Sequence, residues 1–476
     1  MIGFAIGRIL LVEAALLLLP MAVALGYGES PVPYLLPAAL LVLCGGLLSF
    51  KKPRQASLFA RDGLAVVALA WIAVSLFGAL PFYISGSIES FVDCFFETVS
   101  GFTTTGATIL TEVESLNRGI LFWRSFTHWV GGMGVLVFVM AILPMGGDGH
   151  GMHMLRAEMP GPAVGKLVSR MSDTAKILYG IYCALTLLEV FCLRIAGMPW
   201  YDSLVHSFAT AGTGGFSTRN LSIAAYESPA IEVIITLFML VFSINFALYF
   251  LLLCGKVRQA LRSDELRFFL AVVAFSTLLI SINIWPMYPA DGSAVRHAAF
   301  QVGSIISTTG FASTDFNLWP EFSRILLVLL MFIGACAGST GGAIKCSRVL
   351  LLLKCIRREI RQVVHPRSVN VVKLDGRVVD EDSLRSVQLF FAAYLFIALG
   401  ATLLVSVDNF SFGTTFTAVV SCIGNVGPGL ELVGPMGNYS AFSGFSKLVL
   451  SLCMLIGRLE VLPVLVLFSR NAWKRS

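Results

Sequence analysis

The sequence predicts an all-α polytopic membrane protein of about ten transmembrane helices, four span–short helix–loop–span repeats preceded by two extra N-terminal helices. Three observations predict it. The 476 residues are 57% hydrophobic and only 13% charged, where a soluble domain carries about 25% charged residues. The apolar residues gather into ten runs, each long enough for roughly 30 Å of hydrocarbon. Four short glycine-containing segments lie between paired runs, with central glycines 109, 95 and 117 residues apart (106 to 215, 215 to 310, 310 to 427). Such spacing marks an internal repeat.

In chain order the first two runs are 3–25 and 32–50. The first lacks a short apolar core followed by a small-residue cleavage site, so it is expected to remain as a span. The pairs that follow are 63–84 with 120–145, 175–196 with 231–254, 268–288 with 325–353, and 387–407 with 448–468. The expected units are therefore 1–50 (N-terminal pair) and repeats at 63–145, 174–258, 264–360 and 383–470. Before each glycine segment sits a moderately polar stretch too short to span: 90–101, 200–211, 295–307 and 411–423. Six residues before the glycines stand Ser100, Ala209, Ser304 and Ser421; thirteen before, the first two repeats share Asp93 and Asp202.

Charge sets the orientation. Lys51, Lys52, Arg54 and Arg61 follow the second run, Arg156, Lys166 and Arg170 the fourth, and Lys256, Arg258, Arg262 and Arg267 the sixth. The stretch 345–385 holds ten Lys or Arg, and the tail has Arg470, Lys474 and Arg475. By the positive-inside rule all of these face the cytoplasm. Both termini are then cytoplasmic, and all four glycine loops fall on the opposite side. The formal charge of +6 is unevenly spread, which speaks against a nucleic-acid partner. The ten cysteines are scattered, mostly in apolar runs, without a Cys-x-x-Cys pair; they read as small apolar packing residues.

The four loops read Thr104-Thr105-Gly106, Thr213-Gly214-Gly215, Thr308-Thr309-Gly310 and Asn425-Val426-Gly427. Non-helical backbone at membrane depth is tolerated only inside protein or beside water. Glycine accepts positive φ, so successive carbonyls can point one way, and neighbouring threonine hydroxyls offer further oxygens. Four such loops are expected to form a ring of carbonyl dipoles that replaces the hydration shell of a monovalent cation. Rings of Asp or Glu would favour a divalent ion. Acids on the loop side (Glu112, Glu114, Glu227, Asp291, Asp315, Glu431) would draw cations in.

With the segments Glu97-Thr-Val-Ser-Gly-Phe-Thr-Thr-Thr-Gly-Ala-Thr108 and Trp129-Val-Gly-Gly-Met-Gly134, the chain resembles the superfamily of bacterial Trk, Ktr and plant HKT potassium transporters. The resemblance runs from about residue 63 to the end. The two extra N-terminal spans and the third inner helix fit the TrkH branch. It implies a K⁺-translocating subunit of the bacterial inner membrane, with four non-identical repeats around one pore. It also implies a homodimer and a cytoplasmic, TrkA-like regulatory ring that binds NAD or ATP. By position Gly106, Gly215, Gly310 and Gly427 match the family's filter glycines. Gly214, Asn425, Val426 and Pro428 depart from the Thr-Thr-Gly form, which predicts an uneven ring.

Below the filter, the eighth run is interrupted by Gly334-Ala-Cys-Ala-Gly338-Ser339-Thr340-Gly341-Gly342-Ala343. Gly334 and Gly338 fit a Gly-x-x-x-Gly packing face. The other reading is a helix broken at membrane depth with its loop in the pore, which matches the family's gating loop. It also accounts for 325–360 being too long for one straight span. Lys345 would then face the inner vestibule. Arg458 lies inside the last span, where a charge costs at least about 2.5–3.5 kcal/mol, so it should face protein or water. It reads either as half of a buried ion pair, for which Glu460 is badly placed, or as a positive charge in the pore that raises the barrier to cations. The resemblance favours the barrier. His150 and His153 read as residues of a casual loop rather than a metal site.

The leading expectation is a gated K⁺ uptake channel or transporter. The alternatives are H⁺- or Na⁺-coupled symport, for which Glu13 and Glu460 are the main intramembrane carboxylates, and an intramembrane enzyme. No His-Glu-x-x-His or Gly-x-Ser-x-Gly motif supports the enzyme. No Gly-x-Gly-x-x-Gly unit is present, so no organic cofactor is expected on this chain. The basic stretch 354–377 reads as a docking surface for the partner or for anionic lipid.

Overall fold

A computed structural model of the chain describes residues 2–50, 60–134, 171–289, 292–368, 370–461 and 464. The histidine pair at 150 and 153, Asp291, the basic clusters at 51–54 and 156–170 and the C-terminal tail lie outside the described residues.

The order outer helix, short helix, loop, inner helix recurs four times. The outer helices are Ala60–Gly78 (continued by Leu80–Ile84), Met171–Ile195, Asp264–Ile284 and Glu381–Val405. The short helices, here called pore helices, are Phe91–Phe102, Trp200–Gly212, Ser293–Ile306 and Phe412–Gly424. The inner helices begin at Arg118–Gly132, Pro229–Phe242, Glu321–Ile333 and Gly444–Arg458. Large apolar side chains such as Leu47, Phe396 and Leu403 stay more than two-thirds exposed. In a chain this apolar, such a surface suits lipid.

Among the described residues six helices are long and apolar enough to cross a membrane, or seven if one bent pair counts as a span. The remaining expected spans are the inner helices. The first and last of these leave the described residues before their expected ends, and the third is broken. The bent pair is a departure from the straight span expected over 231–254: Pro229–Phe242 and Phe246–Leu253 meet at 91°. The cause is Ser243-Ile-Asn245. Asn245 caps the second segment by accepting from Ala247 N at 2.9 Å, the local bond that favours Asn at helix starts.

The N-terminal helices Ile2–Leu16 and Val32–Ser49 cross closely, because side chains at Gly7 and Gly45 would press on each other's backbone. They are fastened to the first repeat through Glu29, whose carboxylate accepts from Arg118 N (2.6 Å) and Gly119 N (2.9 Å). A carboxylate there also complements the helix dipole. The largest buried cluster joins this pair to the first and fourth repeats; further clusters fill the third and second. A two-residue antiparallel hairpin, Lys373–Leu374 with Arg377–Val378, is the one strand pair among the described residues.

Candidate functional site: a four-part carbonyl ring above a broken helix

Each pore helix ends in the same way. The N–H two residues before the filter glycine bonds back three residues (Thr104 to Gly101 O, Thr213 to Thr210 O, Thr308 to Ile305 O, Asn425 to Cys422 O). The next N–H bonds back five (Thr105 to Ser100 O, Gly214 to Ala209 O, Thr309 to Ser304 O, Val426 to Ser421 O, all 2.8–2.9 Å). This pair of bonds is the Schellman motif, which requires a left-handed residue at its turn. Thr104, Thr213, Thr308 and Asn425 supply it at φ 56°, 56°, 61° and 53°. Gly106, Gly215, Gly310 and Gly427 then take φ 79°, 75°, 85° and 99°. The four backbones therefore share one course, although their side chains differ.

The loops also close on one another. A Cβ at Gly106 would overlap the Gly214 carbonyl oxygen, one at Gly215 the Thr309 oxygen, one at Gly310 the Val426 oxygen, and one at Gly427 would meet the Thr105 oxygen at 2.6 Å. First touches second, second third, third fourth, and fourth first. Both the positive φ and the close approach leave room only for glycine. The twelve expected filter residues are thus brought together: Thr104, Thr105, Thr213, Thr308, Thr309, Asn425 and Val426 are fully buried beside the five glycines. Each quarter of the ring follows directly on a helix C-terminus, which carries about half a negative charge.

The expectation for the hydroxyls is modified. Thr105 Oγ1 is held by Thr103 Oγ1 (2.8 Å), and Thr309 Oγ1 by Ser307 Oγ (2.7 Å). The second and fourth loops lack this ladder. At Gly214 a Cβ would strike the imidazole of His128, which packs in that space. Asn425 instead bridges quarters, donating from Nδ2 to Thr105 Oγ1 (2.9 Å) and Met454 O (3.0 Å). Unevenness lies in side chains, not in backbone course.

Under the ring the third inner helix is broken as expected, between Ile333 and Cys346. Gly334 and Gly338 have φ 70° and 73°, so the helical packing-face reading fails. The loop is tied on every side. Cys336 N donates to Ser243 O and Phe246 N to Gly338 O, both 3.0 Å, so the break in the second inner helix and this loop satisfy each other's backbone. Glu265 accepts from Ala337 N (2.7 Å) and Ser347 N (3.0 Å). Thr340 Oγ1 donates to Phe242 O at 3.1 Å. Gly342 N donates to Thr308 Oγ1 (2.8 Å), fastening the loop to the base of the ring. Lys345 is buried and folds its Nζ back onto Gly341 O.

Arg458 reaches this loop from the last inner helix. It donates to Thr340 O (2.7 Å) from Nη1 and to Gly131 O (2.6 Å) and Gly132 O (2.7 Å) from Nη2. Glu460 pairs with Arg348, in keeping with its poor placement for Arg458. A cavity of about 30 Å³ under the ring is lined by Gly341, Gly342, Lys345, Arg458 and Gly132, so the two cations and the broken helix share one small space. Ser339 lies on its wall.

Sequence reasoning missed the residues that brace the ring. Nine positions before the filter glycines stand Glu97, His206, Gln301 and Ala418. The first three reach their own outgoing strand: Glu97 accepts from Thr108 Oγ1 (2.9 Å) and Ile109 N (3.0 Å). His206 Nε2 accepts from Ser217 Oγ (2.9 Å), its Nδ1–H being held by Asp202 O. Gln301 Nε2 donates to Thr314 O at 3.3 Å. The signal was available as a polar residue at one offset from the glycine in three of the four repeats.

The family described as "TrkH: Cation transport protein" matches residues 36–475. The "Trk system potassium uptake protein TrkH" of Salmonella typhimurium (strain LT2) is 38% identical over 98% of both chains. The "Trk system potassium uptake protein TrkG" of Escherichia coli (strain K12) is 35% identical over 96% of this chain and 94% of its own. The crystal structure of the potassium transporter TrkH from Vibrio parahaemolyticus superposes with a TM-score of 0.90 at 33% identity, covering 99% of each chain. With the ring, the broken helix and these likenesses over nearly its whole length, the chain belongs to the TrkH family of cation transport proteins, a family of transporters rather than enzymes.

Proposed function

We propose that the chain is the potassium-translocating subunit of a Trk-type uptake system. The observation that carries the reading is the closed contact of the four loops, first to fourth and back, with one backbone course in every quarter. Uncharged carbonyls backed by helix C-termini suit a monovalent cation, and the relatives' names specify potassium uptake. Thr104, Thr105, Gly106, Thr213, Gly214, Gly215, Thr308, Thr309, Gly310, Asn425, Val426 and Gly427 form the selectivity filter. The repeats are the units 63–145, 174–258, 264–360 and 383–470, set after the pair at 1–50.

The loop from Gly334 to Lys345, with Gly338, Ser339, Thr340, Gly341 and Gly342, is the gate, and Arg458 is its latch and the positive barrier in the pathway. The bonds from Arg458 to Thr340 and to the first inner helix support this reading. The positive-inside rule puts both termini in the cytoplasm and the filter on the outer face of the bacterial inner membrane. The relatives are named as proteins of a Trk system, which supports a partner. That partner is a TrkA-like nucleotide-binding ring acting on the basic stretch 354–377, and the subunit works as a homodimer.

Purified protein in liposomes, assayed for K⁺, Rb⁺ and Na⁺ flux, tests the reading. K⁺ and Rb⁺ flux above Na⁺, lost in Gly310→Ala, is expected. Absence of any cation flux, with and without the partner, would overturn it.

A further inference from the structure

Each seam of the ring is crossed by its own set of bonds. Between the fourth and first quarters Asn425 bonds Thr105, Tyr439 N donates to Thr108 O (2.8 Å) and Tyr439 Oη to Gly427 O (2.8 Å). Between the third and fourth, Asn317 donates to Glu431 O (3.1 Å) and accepts from Glu431 N (2.9 Å). Between the second and third, Ala312 O accepts from Ile223 N and Ala224 N, both at 3.1 Å. The seam between the first and second quarters is crossed by Arg124, which reaches Ser217 and Phe216 of the second quarter and is held from within the first quarter by an ion pair with Glu97. Arg124 Nε donates to Glu97 Oε1 at 2.7 Å, with the two side chains 3% and 0% exposed.

This pair is also a bridge. The Glu97 carboxylate holds the outgoing strand of the first filter at Thr108 and Ile109. The Arg124 guanidinium donates from Nη1 to Ser217 O (3.1 Å) and lies 3.6 Å over the Phe216 ring, both on the outgoing strand of the second. Ser217 is fixed again by His206. A continuous chain thus runs Ile109–Glu97–Arg124–Ser217–His206 behind two adjacent quarters. Stability alone is a poor reason for it, since well-packed apolar residues of similar volume would commonly serve as well or better than a buried ion pair. What the ions add is geometry: a planar guanidinium bonds a carboxylate and a carbonyl and stacks on a ring in one fixed arrangement.

We propose that Glu97 and Arg124 are positioning residues for ion selectivity, a strut that fixes the spacing of the first and second filter strands. The inference rests on the filter reading above and adds to it a determinant that touches no ion. Discrimination by a carbonyl ring depends on how the carbonyls are held, whether through cavity size or dipole field.

Full-length protein in liposomes is assayed for the K⁺/Na⁺ flux ratio, and in detergent for its melting midpoint in Na⁺ and in K⁺ buffer. Arg124→Lys keeps a charge beside Glu97 but loses the fork and the stacking. Its flux ratio is expected to fall about tenfold, the change given by ~1.4 kcal/mol of lost discrimination. Its midpoint in Na⁺ stays at the wild-type value, while the extra stabilisation by K⁺ shrinks. The double variant Glu97→Gln/Arg124→Gln removes both charges together, leaves no unpaired buried ion and is expected to lose selectivity likewise. Folded variants with the wild-type ratio would overturn the strut. So would failure of both variants to accumulate as folded protein, which would make the pair a stability element. Loss of K⁺ flux in the wild type would instead strike the filter reading itself.

Discussion

At Gly214 the space that a threonine side chain fills in the first and third loops is taken by the ring of His128. His128 Nδ1 donates to Gly101 O at 2.7 Å and its ring lies 4.1 Å from that of Phe216, so it cannot easily yield. Gly214→Thr, which would restore the repeat consensus, is therefore expected to abolish K⁺ flux. Gly214→Thr/His128→Ala should recover part of it, and equal inactivity of both proteins when folded would refute the steric argument. Asn425 departs from threonine for another reason. It sits in the left-handed region, where Asn is several-fold enriched, and its amide spans two quarters. The presence of a glycine in each of the four contacting loops was legible because the spacing repeats. His128 was not, because nothing local to an inner helix says which loop it faces.

At the scale of the element, the loop between Ile333 and Cys346 has its backbone committed to the second inner helix, the third outer helix, the filter base and Arg458. Arg458→Ala removes three bonds and a positive charge from the small cavity. Cation flux is expected to rise, by about tenfold for each ~1.4 kcal/mol taken from the barrier; unchanged or lower flux in folded protein counts against the latch. The fourth pore helix carries a pH-dependent cap. Glu431 accepts from Ser411 Oγ, from Thr414 Oγ1 (2.8 Å) and from Thr414 N (3.0 Å). These bonds, that of Ser411 foremost, hold its carboxyl below the usual range. A depressed folded value means that the cap contributes fully above the unfolded value of about 4.3 and is lost as pH falls through the folded one. Glu431→Gln should thus lower the melting midpoint at pH 7, and the deficit should shrink steadily as the pH is lowered through the folded value of the carboxyl; a deficit that does not change with pH would sink the assignment.

For the whole molecule the expected topology is testable by cysteine labelling. Glu227, between the second filter loop and its inner helix, and Arg361, on the helix Cys346–Val364, lie on opposite sides if the charge rule holds. In intact cells an impermeant thiol reagent should modify Glu227→Cys but reach Arg361→Cys only after permeabilisation; the reverse would invert the proposed orientation. The spans themselves were readable where apolar runs were continuous: the outer helices Asp264–Ile284 and Glu381–Val405 and the N-terminal Val32–Ser49 fall close to their expected bounds. The 91° bend at Ser243–Asn245 was not readable. A break in an apolar run is stable only where another segment receives its backbone groups, and here that segment is a loop almost a hundred residues further on.

By itself the sequence determined the membrane setting, the fourfold repeat and the glycines of the ring, because each follows from composition or from local backbone chemistry recurring at a fixed spacing. The tertiary structure alone decided how the quarters are joined. His128 beside Gly214, Arg124 on Ser217 and Arg458 on Gly131, Gly132 and Thr340 are contacts between segments far apart in the chain. Their partners are selected by packing and by the need to satisfy buried polar groups, and no one repeat read alone contains both members.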